Sequence, residues 1–330
     1  MGQALANVQM ISDNPVLRDW LAQVAPGASA LEPIAGDAGS RAYFRLNADP
    51  CPRVVMVAPA QREACQAYRQ VGELMAQAGL HVPQVLACDL DAGLMLLEDL
   101  GHHDYLSALD GPDAHGLMDD AIDALVRWQA ATRPDVLAPY DRKRLADELD
   151  LFPTWYVQRH LGYRPDAQWV ERWSEGCAQL IAAACEQPQV WVHRDYMARN
   201  LIVSAPNPGV IDFQDALTGP VTYDVVSLLR DAFYSFTQTE EAKWIAHYAE
   251  RAHAAGIALP TDCQRAVDWM GAQRHLKVLG IFARLRYRDQ KPRYLEDAPR
   301  FWGYLHRELG GYPELADFAA LLAELPEPNR

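Results

Sequence analysis

Short apolar runs separated by turn-forming residues predict a small sheet in the first hundred residues. The predicted strands are Ala30–Ile34, Arg41–Leu46, Arg53–Val57, Val85–Ala87 and Leu94–Leu97. Apolar residues at helical spacing predict two helices, Asp13–Val24 and Gln61–Ala78, and Gly79 is a typical stop for the second. The first hundred residues are therefore expected to form a small sheet with one long helix.

After residue 103 the hydrophobic pattern changes to the longer period of helices. Helices are predicted over Ala114–Ala131, Lys143–His160 and Ala167–Cys185, and everything from Tyr223 onward is predicted to be helical. Short strands are predicted over Val190–Val192, Leu201–Val203 and Val210–Asp212, the last two paired across a turn that contains Pro and Gly. Apolar residues on nearly every side of the stretch 274–287 predict a buried helix. This order of elements predicts an α+β, bilobal fold with a small β-rich N-lobe and a larger helical C-lobe.

Composition and charge narrow the range of partners. Half of the 330 residues are hydrophobic, which suits a globular chain with a substantial core, and the formal net charge is −14. An acidic chain disfavours nucleic acid as the main partner, because phosphate backbones are bound by clustered Lys and Arg. The six cysteines are scattered without a C-x-x-C pair, which favours reduced thiols over disulfides or a zinc site.

No pattern in the sequence predicts secretion or a membrane partner. The first twenty residues lack a basic segment followed by an apolar core, and no apolar run reaches the length that spans a bilayer. We therefore expect a cytoplasmic protein, and no protein partner is inferable from the sequence.

The strongest chemical signal is the segment 193–200, HRDYMARN, which is predicted to lie between two strands. The tripeptide I-D-F follows, with Asp212 twelve residues after Asn200. Phosphoryl transfer from ATP needs a carboxylate that takes the proton of the acceptor hydroxyl, and oxygen ligands that hold Mg²⁺ against the phosphates. Asp195 can supply the base, and Asn200 and Asp212 the metal ligands. Two chance tripeptides in turns are the alternative, which the spacing and the predicted strands disfavour.

An H-x-D-x-x-x-x-N loop followed closely by I-D-F resembles the aminoglycoside phosphotransferase and choline kinase-like families, and the resemblance covers nearly the whole chain. It implies the bilobal protein-kinase fold and ATP and Mg²⁺ as cofactors. It also implies Asp195 as the catalytic base, with Asn200 and Asp212 as the metal ligands.

Four further residues near these motifs are candidates for the site. Asp215 matches another acidic position of these families, with a role either in supporting the metal or in an ordinary ion pair. His193 and Asp224 are candidates for a supporting role, and Arg199 is a candidate for binding the acceptor.

The segment Leu94–Gly101 resembles the hinge between the lobes of these families. The resemblance implies that backbone groups from Glu98 to Leu100 pair with the adenine edge and that Leu96 packs on the adenine face. A buried strand that leads into a loop would have the same sequence. We accordingly place the N-lobe with the nucleotide site at residues 1–98, the hinge at 99–103, and the C-lobe with the catalytic loop and the acceptor site at 104–330.

A turn of small residues, Ala35–Ser40, lies where the kinase fold has its phosphate-covering loop. Gly36, Gly39 and Ser40 would allow backbone N–H groups to approach phosphate oxygens. A plain hairpin turn is an equally good interpretation of this sequence.

One departure from the kinase pattern concerns the third strand, where kinases have a Lys that binds the α- and β-phosphates. The matching run Val54–Val57 has no Lys, and Met56 would line the nucleotide site instead. Either the chain is inactive or another cation substitutes. Arg41 is our candidate, and Arg45 points to the same face because it lies four residues further along the strand. Surface solvation is the alternative for both, and Glu63 is a weak candidate for the helix carboxylate that faces the cation.

The acceptor is predicted to be a small molecule. Asp224 follows Asp212 by only twelve residues, which leaves no room for the peptide-docking segment of protein kinases. The stretch 264–300 contains nine Lys or Arg and four acidic residues, a net charge of +5. If part of this stretch lines the cleft between the lobes, it suits an anionic or neutral acceptor better than a polycationic aminoglycoside. A solvated basic face is the alternative.

Further segments are similar to those of the bacterial anomeric N-acetylmuramate/N-acetylglucosamine kinases, which make sugar 1-phosphates in cell-wall recycling. These segments are Gly36–Ala38, Tyr43–Arg45, Leu151–Trp155, Val210–Ala216 and Gly219–Asp224, together with Met56 in place of the Lys. The resemblance implies an amino sugar as the acceptor. Glu148 and Trp155 are candidates for binding its hydroxyls and its ring, with core packing as the alternative for Trp155. A kinase of another alcohol, such as an aminoglycoside or choline, and a nucleotide-binding pseudokinase remain open.

Overall fold

The computed structural model describes residues 14–27, 30–34, 41–47, 51–58 and 62–326. The described chain forms two compact units. One consists of the described residues of Met1–Leu117 together with Asn200–Asp215, and the other of those of Met118–Arg199 together with Ala216–Arg330. The segment that contains Asn200 and Asp212 therefore belongs to the first unit.

An antiparallel five-stranded sheet is the centre of the first unit. Its strands are β1 (Leu31–Ile34), β2 (Ala42–Leu46), β3 (Arg53–Val57), β4 (Val85–Asp89) and β5 (Leu94–Glu98), in the spatial order β1-β2-β3-β5-β4. The same unit contains three helices, α1 (Pro15–Val24), α2 (Arg62–Gln77) and α3 (Tyr105–Ala108). Asn14 begins α1 by accepting a hydrogen bond from the Val16 N–H at 3.0 Å, and Gly79 follows α2 with a φ of +80°. The strands lie within two residues of the predicted ones.

The two faces of this sheet bury different side chains. Val55 in β3 and its partner Leu96 in β5 are buried in a core with Trp20 of α1. Successive residues of a strand point to opposite faces, so Met56 and its partner Met95 point away from that core. The side chains of Met56 and Leu96 therefore lie on opposite faces of the sheet.

A short hairpin completes the first unit. Its strands β7 (Leu201–Ile202) and β8 (Gly209–Val210) pair as the sequence predicts. The N–H of Val210 donates to the carbonyl oxygen of His81 at 2.7 Å, which ties the hairpin to the segment between α2 and β4. A Cβ at Gly209 would lie 2.8 Å from Cδ1 of Leu100, so a larger residue at this position would require the Leu100 side chain to shift.

The second unit is mostly helical. Its α-helices are α4 (Ala114–Ala130, which begins in the first unit), α5 (Arg142–Leu149), α6 (Ala167–Glu186), α7 (Tyr223–Leu229), α8 (Gln238–Ala254), α9 (Cys263–Tyr287), α10 (Ala298–Gly310) and α11 (Ala316–Ala323). Short 3₁₀ segments cover Ala198–Asn200, Pro292–Asp297 and Pro313–Leu315. The long helix α9 packs against α6, α7 and α10, and most of its residues are buried, as its apolar pattern predicts. The predicted α+β class is confirmed.

One predicted helix is broken in the structure. The sequence predicts a continuous helix over Lys143–His160, whereas α5 ends at Leu149 and Phe152–His160 forms a π-helix. Pro153, in the first turn of the π-helix, has no N–H group with which to continue the hydrogen bonds of α5. The junction also packs tightly on α9, because a Cβ at Gly280 would lie 2.5 Å from the carbonyl carbon of residue 151.

Two other elements of the second unit differ from the sequence prediction. Strand β9 (Leu217–Pro220) pairs with β6 (Gln189–Val192), although its Gly and Pro are atypical of strands. Between α7 and α8 the chain forms a turn, closed by a bridge between Arg230 and Ser235, where the sequence predicts helix.

All six cysteines are free thiols in the structure. Among the residues that the structure describes, none of the helices is long and apolar enough to cross a membrane.

Candidate active site

The backbone of residues 193–195 is fixed by side chains of its own unit. Asp224, fully buried in the first turn of α7, accepts hydrogen bonds from the N–H groups of His193 at 2.6 Å and Arg194 at 2.9 Å. The N–H of Asp195 donates to Nδ1 of His193 at 3.2 Å, which leaves the ring proton on Nε2. These bonds hold Asp195 in one backbone conformation.

Arg194 has a left-handed backbone with a φ of +78°, which costs a residue other than glycine about 1–3 kcal/mol. Its carbonyl oxygen accepts hydrogen bonds from Nη1 of Arg274 at 2.9 Å and from Oγ of Ser227 at 3.4 Å. Contacts from α7 and α9 therefore stabilise a loop conformation that an isolated peptide would disfavour.

The buried carboxylate of Glu148 binds the side chains of this region. Nζ of Lys277 lies 3.2 Å from Oε1 of Glu148, and Arg194 and Tyr140 donate hydrogen bonds to the same carboxylate. Burial raises the pKa of Glu148, but Lys277 and Arg194 outweigh burial and hold the pKa below its ordinary value. Because its oxygens are bound by the protein, Glu148 has little capacity left for the acceptor hydroxyls that the sequence assigns to it.

Arg274 and Lys277 also meet at the phenol of Tyr223. The phenol oxygen accepts hydrogen bonds from Nζ of Lys277 at 2.9 Å and from Nη1 of Arg274 at 3.0 Å. Burial raises the pKa of Tyr223, but the two cations outweigh burial and lower the pKa below its ordinary value. In the sequence both cations belong to the basic stretch 264–300, and neither is among the predicted site residues. The signal that points to them is their spacing of three on a helix that is otherwise apolar on most sides.

Asp195 lies beside this charged group, with its side chain 38 % exposed and Oδ1 3.9 Å from Nη2 of Arg274. Burial raises the pKa of Asp195, but Arg274, Lys277 and Arg194 together outweigh burial and hold the pKa below its ordinary value. The carboxylate is therefore ionised at neutral pH, the state in which it can accept a proton.

A second polar group lies in the first unit, directly after the hairpin. Asp212 has a left-handed backbone with a φ of +63°. Nε2 of Gln214 donates to the carboxylates of Asp212 at 3.0 Å and Asp215 at 3.1 Å. The N–H of Ile211 donates to the carbonyl oxygen of Asn200 at 3.0 Å, so the backbones of the two predicted metal ligands are neighbours.

The potential metal ligands around Asp212 are hard oxygens. The side chains of Asp212 and Asp215 are 43 % and 58 % exposed. Asn200, whose backbone is hydrogen-bonded to residue 211, carries a neutral amide oxygen. Mg²⁺ prefers such ligands and usually completes its shell with phosphate oxygens and water. Over the described ranges, no three His, Cys, Asp or Glu side chains come together as a metal site. The chemistry of these residues fits Mg²⁺ that is bound together with nucleotide phosphates.

Arg41 faces both carboxylates of this group. Its Nη2 lies 3.7 Å from Oδ1 of Asp212 and 3.9 Å from Oδ2 of Asp215. The side chain is only 16 % exposed, and it makes no hydrogen bond to any residue that the structure describes. Buried guanidinium groups normally donate to acceptor oxygens, so these N–H groups are available for a ligand. Glu63 is exposed and forms no ion pair within the described chain, so the carboxylates facing Arg41 come from residues 212 and 215 instead.

The remaining predicted nucleotide-binding residues fall into two groups. Gly36, Gly39 and Ser40 lie outside the described residues. The N–H of Glu98 donates to the carbonyl oxygen of Gln84 at 2.9 Å and is thus occupied by pairing within the sheet. Leu100 packs against the hairpin at Gly209.

Arg45 is bound to the predicted hinge and is not a solvated surface residue. Its Nε donates to Oδ2 of Asp99 at 2.5 Å and its Nη2 to the carbonyl oxygen of Gly101 at 3.0 Å. The side chain therefore ties β2 to the segment that follows β5.

The two remaining predicted acceptor residues lie in the second unit. Trp155 is half-buried within the π-helix. The guanidinium of Arg199 lies 4.3 Å from the ring centre of Phe233, in the turn between α7 and α8.

Solved structures resemble this fold at low sequence identity. The ADP-bound crystal structure of an aminoglycoside phosphotransferase has a TM-score of 0.63 at 13 % identity and covers 90 % of this chain and 99 % of that one. A choline kinase from Streptococcus pneumoniae has a TM-score of 0.65 at 13 % identity and covers 88 % of this chain and 98 % of that one. The predicted kinase-like fold is confirmed.

Sequence relatives are much more similar. A protein of Pseudomonas aeruginosa named N-acetylmuramate/N-acetylglucosamine kinase is 49 % identical over 300 residues, which cover 90 % of this chain and 89 % of the relative. A protein of Neisseria meningitidis with the same name is 42 % identical over 318 residues, which cover 94 % of this chain and 95 % of the relative. Residues 30–264 match the family described as phosphotransferase enzymes. With a match over most of its length, the chain belongs to this phosphotransferase enzyme family.

Proposed function

We propose that this chain is a kinase that transfers the γ-phosphoryl group of ATP to the anomeric hydroxyl of N-acetylmuramate or N-acetylglucosamine. The product would be the sugar 1-phosphate, formed in the cytoplasm during cell-wall recycling. The observation that carries the proposal is the ionised, rigidly held Asp195 in a chain whose relatives, at 42–49 % identity, bear the names of these sugar kinases.

Asp195 acts as the base of the proposed reaction. Its carboxylate takes the proton of the acceptor hydroxyl as the phosphoryl group is transferred. An anomeric hydroxyl is more acidic than an ordinary sugar alcohol, so a carboxylate with a pKa below its usual value suffices. Asp224 and His193 hold the backbone of this loop and thereby orient the base.

The residues around Asp212 form the phosphate side of the proposed site. Asn200 and Asp212 would hold Mg²⁺, which when bound neutralises charge on the phosphate oxygens. Arg41 takes the place of the missing strand Lys, since its guanidinium is mostly buried beside both carboxylates. Asp215 shares Gln214 with Asp212 and supports its position. The absent Lys therefore does not require an inactive protein.

We place the adenine edge along the backbone from Glu98 to Leu100, with the N-lobe at 1–98, the hinge at 99–103 and the C-lobe at 104–330. Because the N–H of Glu98 is already paired, the adenine edge would use the carbonyl of Glu98 or the backbone of Leu100. Gly36, Gly39 and Ser40 would supply backbone N–H groups to the phosphates.

The test is ADP release with a panel of acceptors. The panel consists of N-acetylmuramate, N-acetylglucosamine, their 1-O-methyl glycosides, choline and an aminoglycoside. We expect turnover with the two free sugars and none with the methyl glycosides, in which O1 is blocked. Equal rates with the methyl glycosides would refute the anomeric position, and turnover of choline or the antibiotic alone would refute the sugar assignment.

A further inference from the structure

The turn between α7 and α8 presents aromatic side chains next to the catalytic loop. Phe233, Tyr234 and Phe236 are each partly exposed in it. The turn begins at Arg230, whose buried guanidinium donates hydrogen bonds to three carboxylates on α8, α9 and α10, those of Glu241, Asp268 and Glu308. The base of the turn is therefore firmly held, whereas its tip is exposed.

Two arginines from different parts of the second unit lie against this turn. Arg199, four residues after Asp195 in the catalytic loop, places its guanidinium 4.3 Å from the ring centre of Phe233. Arg300 of α10 donates from Nη1 to Oγ of Ser235 at 3.1 Å. Phe233 and Ser235 are two residues apart, at most about 7 Å along the chain, so both guanidinium groups contact the same short turn.

Asp231, at the start of the turn, gives a second indication that Arg199 and Arg300 lie in the same part of the unit. Burial raises the pKa of the Asp231 carboxyl to about 6. Three guanidinium groups oppose that rise through their charge, those of Arg274, Arg199 and Arg300. Arg274 in turn lies 3.9 Å from Asp195, so the region borders the catalytic base.

Arg300 has donors to spare. Within the described residues its guanidinium makes a single hydrogen bond, to a hydroxyl group, and no ion pair. Guanidinium groups in such positions typically bind carboxylates through paired N–H donors. Glu148, the acceptor ligand suggested by the sequence, is by contrast already bound by Lys277 and Arg194.

We propose that Arg199 and Arg300, held against the turn 231–236, bind the carboxylate of an acidic amino-sugar acceptor. This inference rests on the proposed function and names the part of the acceptor that the site recognises. N-Acetylmuramate carries such a carboxylate on its lactyl group, whereas N-acetylglucosamine has none. The two sugars therefore form a matched pair of probes.

The experiment compares kcat/KM for the two sugars in the Arg300→Gln variant. We expect the ratio for N-acetylmuramate over N-acetylglucosamine to fall about 10- to 100-fold, the range for one charge-assisted hydrogen bond. Arg300→Lys should restore part of the ratio because it keeps the charge. Arg293→Gln, at an exposed arginine of the same basic stretch, is the control and should leave the ratio unchanged.

The outcomes separate the two proposals. If Arg300→Gln reduces kcat/KM equally for both sugars, or changes neither, the carboxylate site is refuted while the kinase assignment stands. If the unmodified protein phosphorylates neither sugar, the proposed function fails, and this inference fails with it. Should Arg300→Gln not fold, Arg199→Gln is expected to shift the ratio in the same direction, and an unchanged ratio there would refute the site.

Discussion

Residues 193–195 and the group around Asp212 both contain a left-handed, non-glycine residue, but they are held in different ways. At Arg194 the backbone contacts come from residues far along the chain, on α7 and α9, at hydrogen-bonding distances of 2.9–3.4 Å. Asp212 shares the amide of Gln214, two residues away, and faces Arg41 at 3.7 Å, an ion-pair distance too long for a hydrogen bond.

The difference indicates which part of the site is complete before ligands arrive. Asp195 is oriented and ionised by the protein itself. Around Asp212, two carboxylates and one guanidinium leave a net negative charge, and the guanidinium has unused donors. Such a group can exchange its loose ion pairs for a cation and for phosphate oxygens. Changes at Asp195 should therefore affect catalysis, whereas changes around Asp212 should affect nucleotide binding.

Asp195→Asn is expected to have the largest effect. It should lower kcat by about 10²- to 10⁴-fold, the usual range for loss of a positioned general base, and leave ATP affinity nearly unchanged. Turnover is measured by ADP release and affinity by calorimetric titration. Asp147→Asn, at an exposed carboxylate paired with Lys143, is the control. Unchanged turnover in Asp195→Asn would remove this residue from the mechanism.

Asp212→Ala should abolish the dependence of ATP affinity on Mg²⁺, because it removes the carboxylate of the proposed metal pair. Asn200→Ala should have a milder effect, since the amide is a neutral ligand. The measurement is an ATP titration with and without added Mg²⁺. The metal assignment is wrong if ATP still binds more tightly to Asp212→Ala when Mg²⁺ is added.

Arg41→Ala should lower the affinity for ATP by about 10- to 100-fold and the affinity for AMP much less, because the proposed partners of Arg41 are the distal phosphates. Both affinities are measured by the same titration. Arg62→Ala, at an exposed arginine of the same unit that pairs with Asp91, is the matched control. Equal losses for ATP and AMP would show that Arg41 is structural and would leave the missing Lys without a replacement.

The sequence predicts local features of this molecule better than contacts between distant segments. Strands and helices follow from the spacing of apolar residues, and the HRD and IDF segments follow from residue type and order. The interruption of the predicted helix 143–160 before Phe152 depends on Pro153 and on the close packing of α9 at Gly280. No local sequence pattern predicts that packing.

The same limit applies to the site. Arg41 could be chosen as the substitute cation because it lies beside the predicted phosphate loop, but its partners at Asp212 and Asp215 lie about 170 residues away along the chain. Arg274 and Lys277 form part of a basic stretch in the sequence, and only tertiary packing brings them to Asp195 and Tyr223. The hinge at 99–103 and the phosphate loop stay predictions.

The smallest expected effect is a shift in the pKa of Asp195 when the charge of Lys277 is removed. The pKa of Asp195 lies below its ordinary value because Arg274, Lys277 and Arg194 outweigh burial. Lys277→Met removes one of the positive charges that lower this pKa. The pKa of Asp195 should therefore rise, because burial favours the protonated form. The base must be ionised to accept a proton, and the rate falls as the pH drops through that pKa.

The acid limb of the pH profile of kcat/KM should therefore move to higher pH in Lys277→Met, with little change in rate above neutrality. N-Acetylglucosamine is the acceptor of choice, because it has no group of its own that titrates in this range. Lys277→Arg should return the limb towards its original position, and Lys143→Met, at an exposed lysine of the same unit, should leave it unchanged. A uniform loss of rate at every pH would mean that Lys277 supports the packing of Glu148 and Tyr223 without setting the charge state of the base.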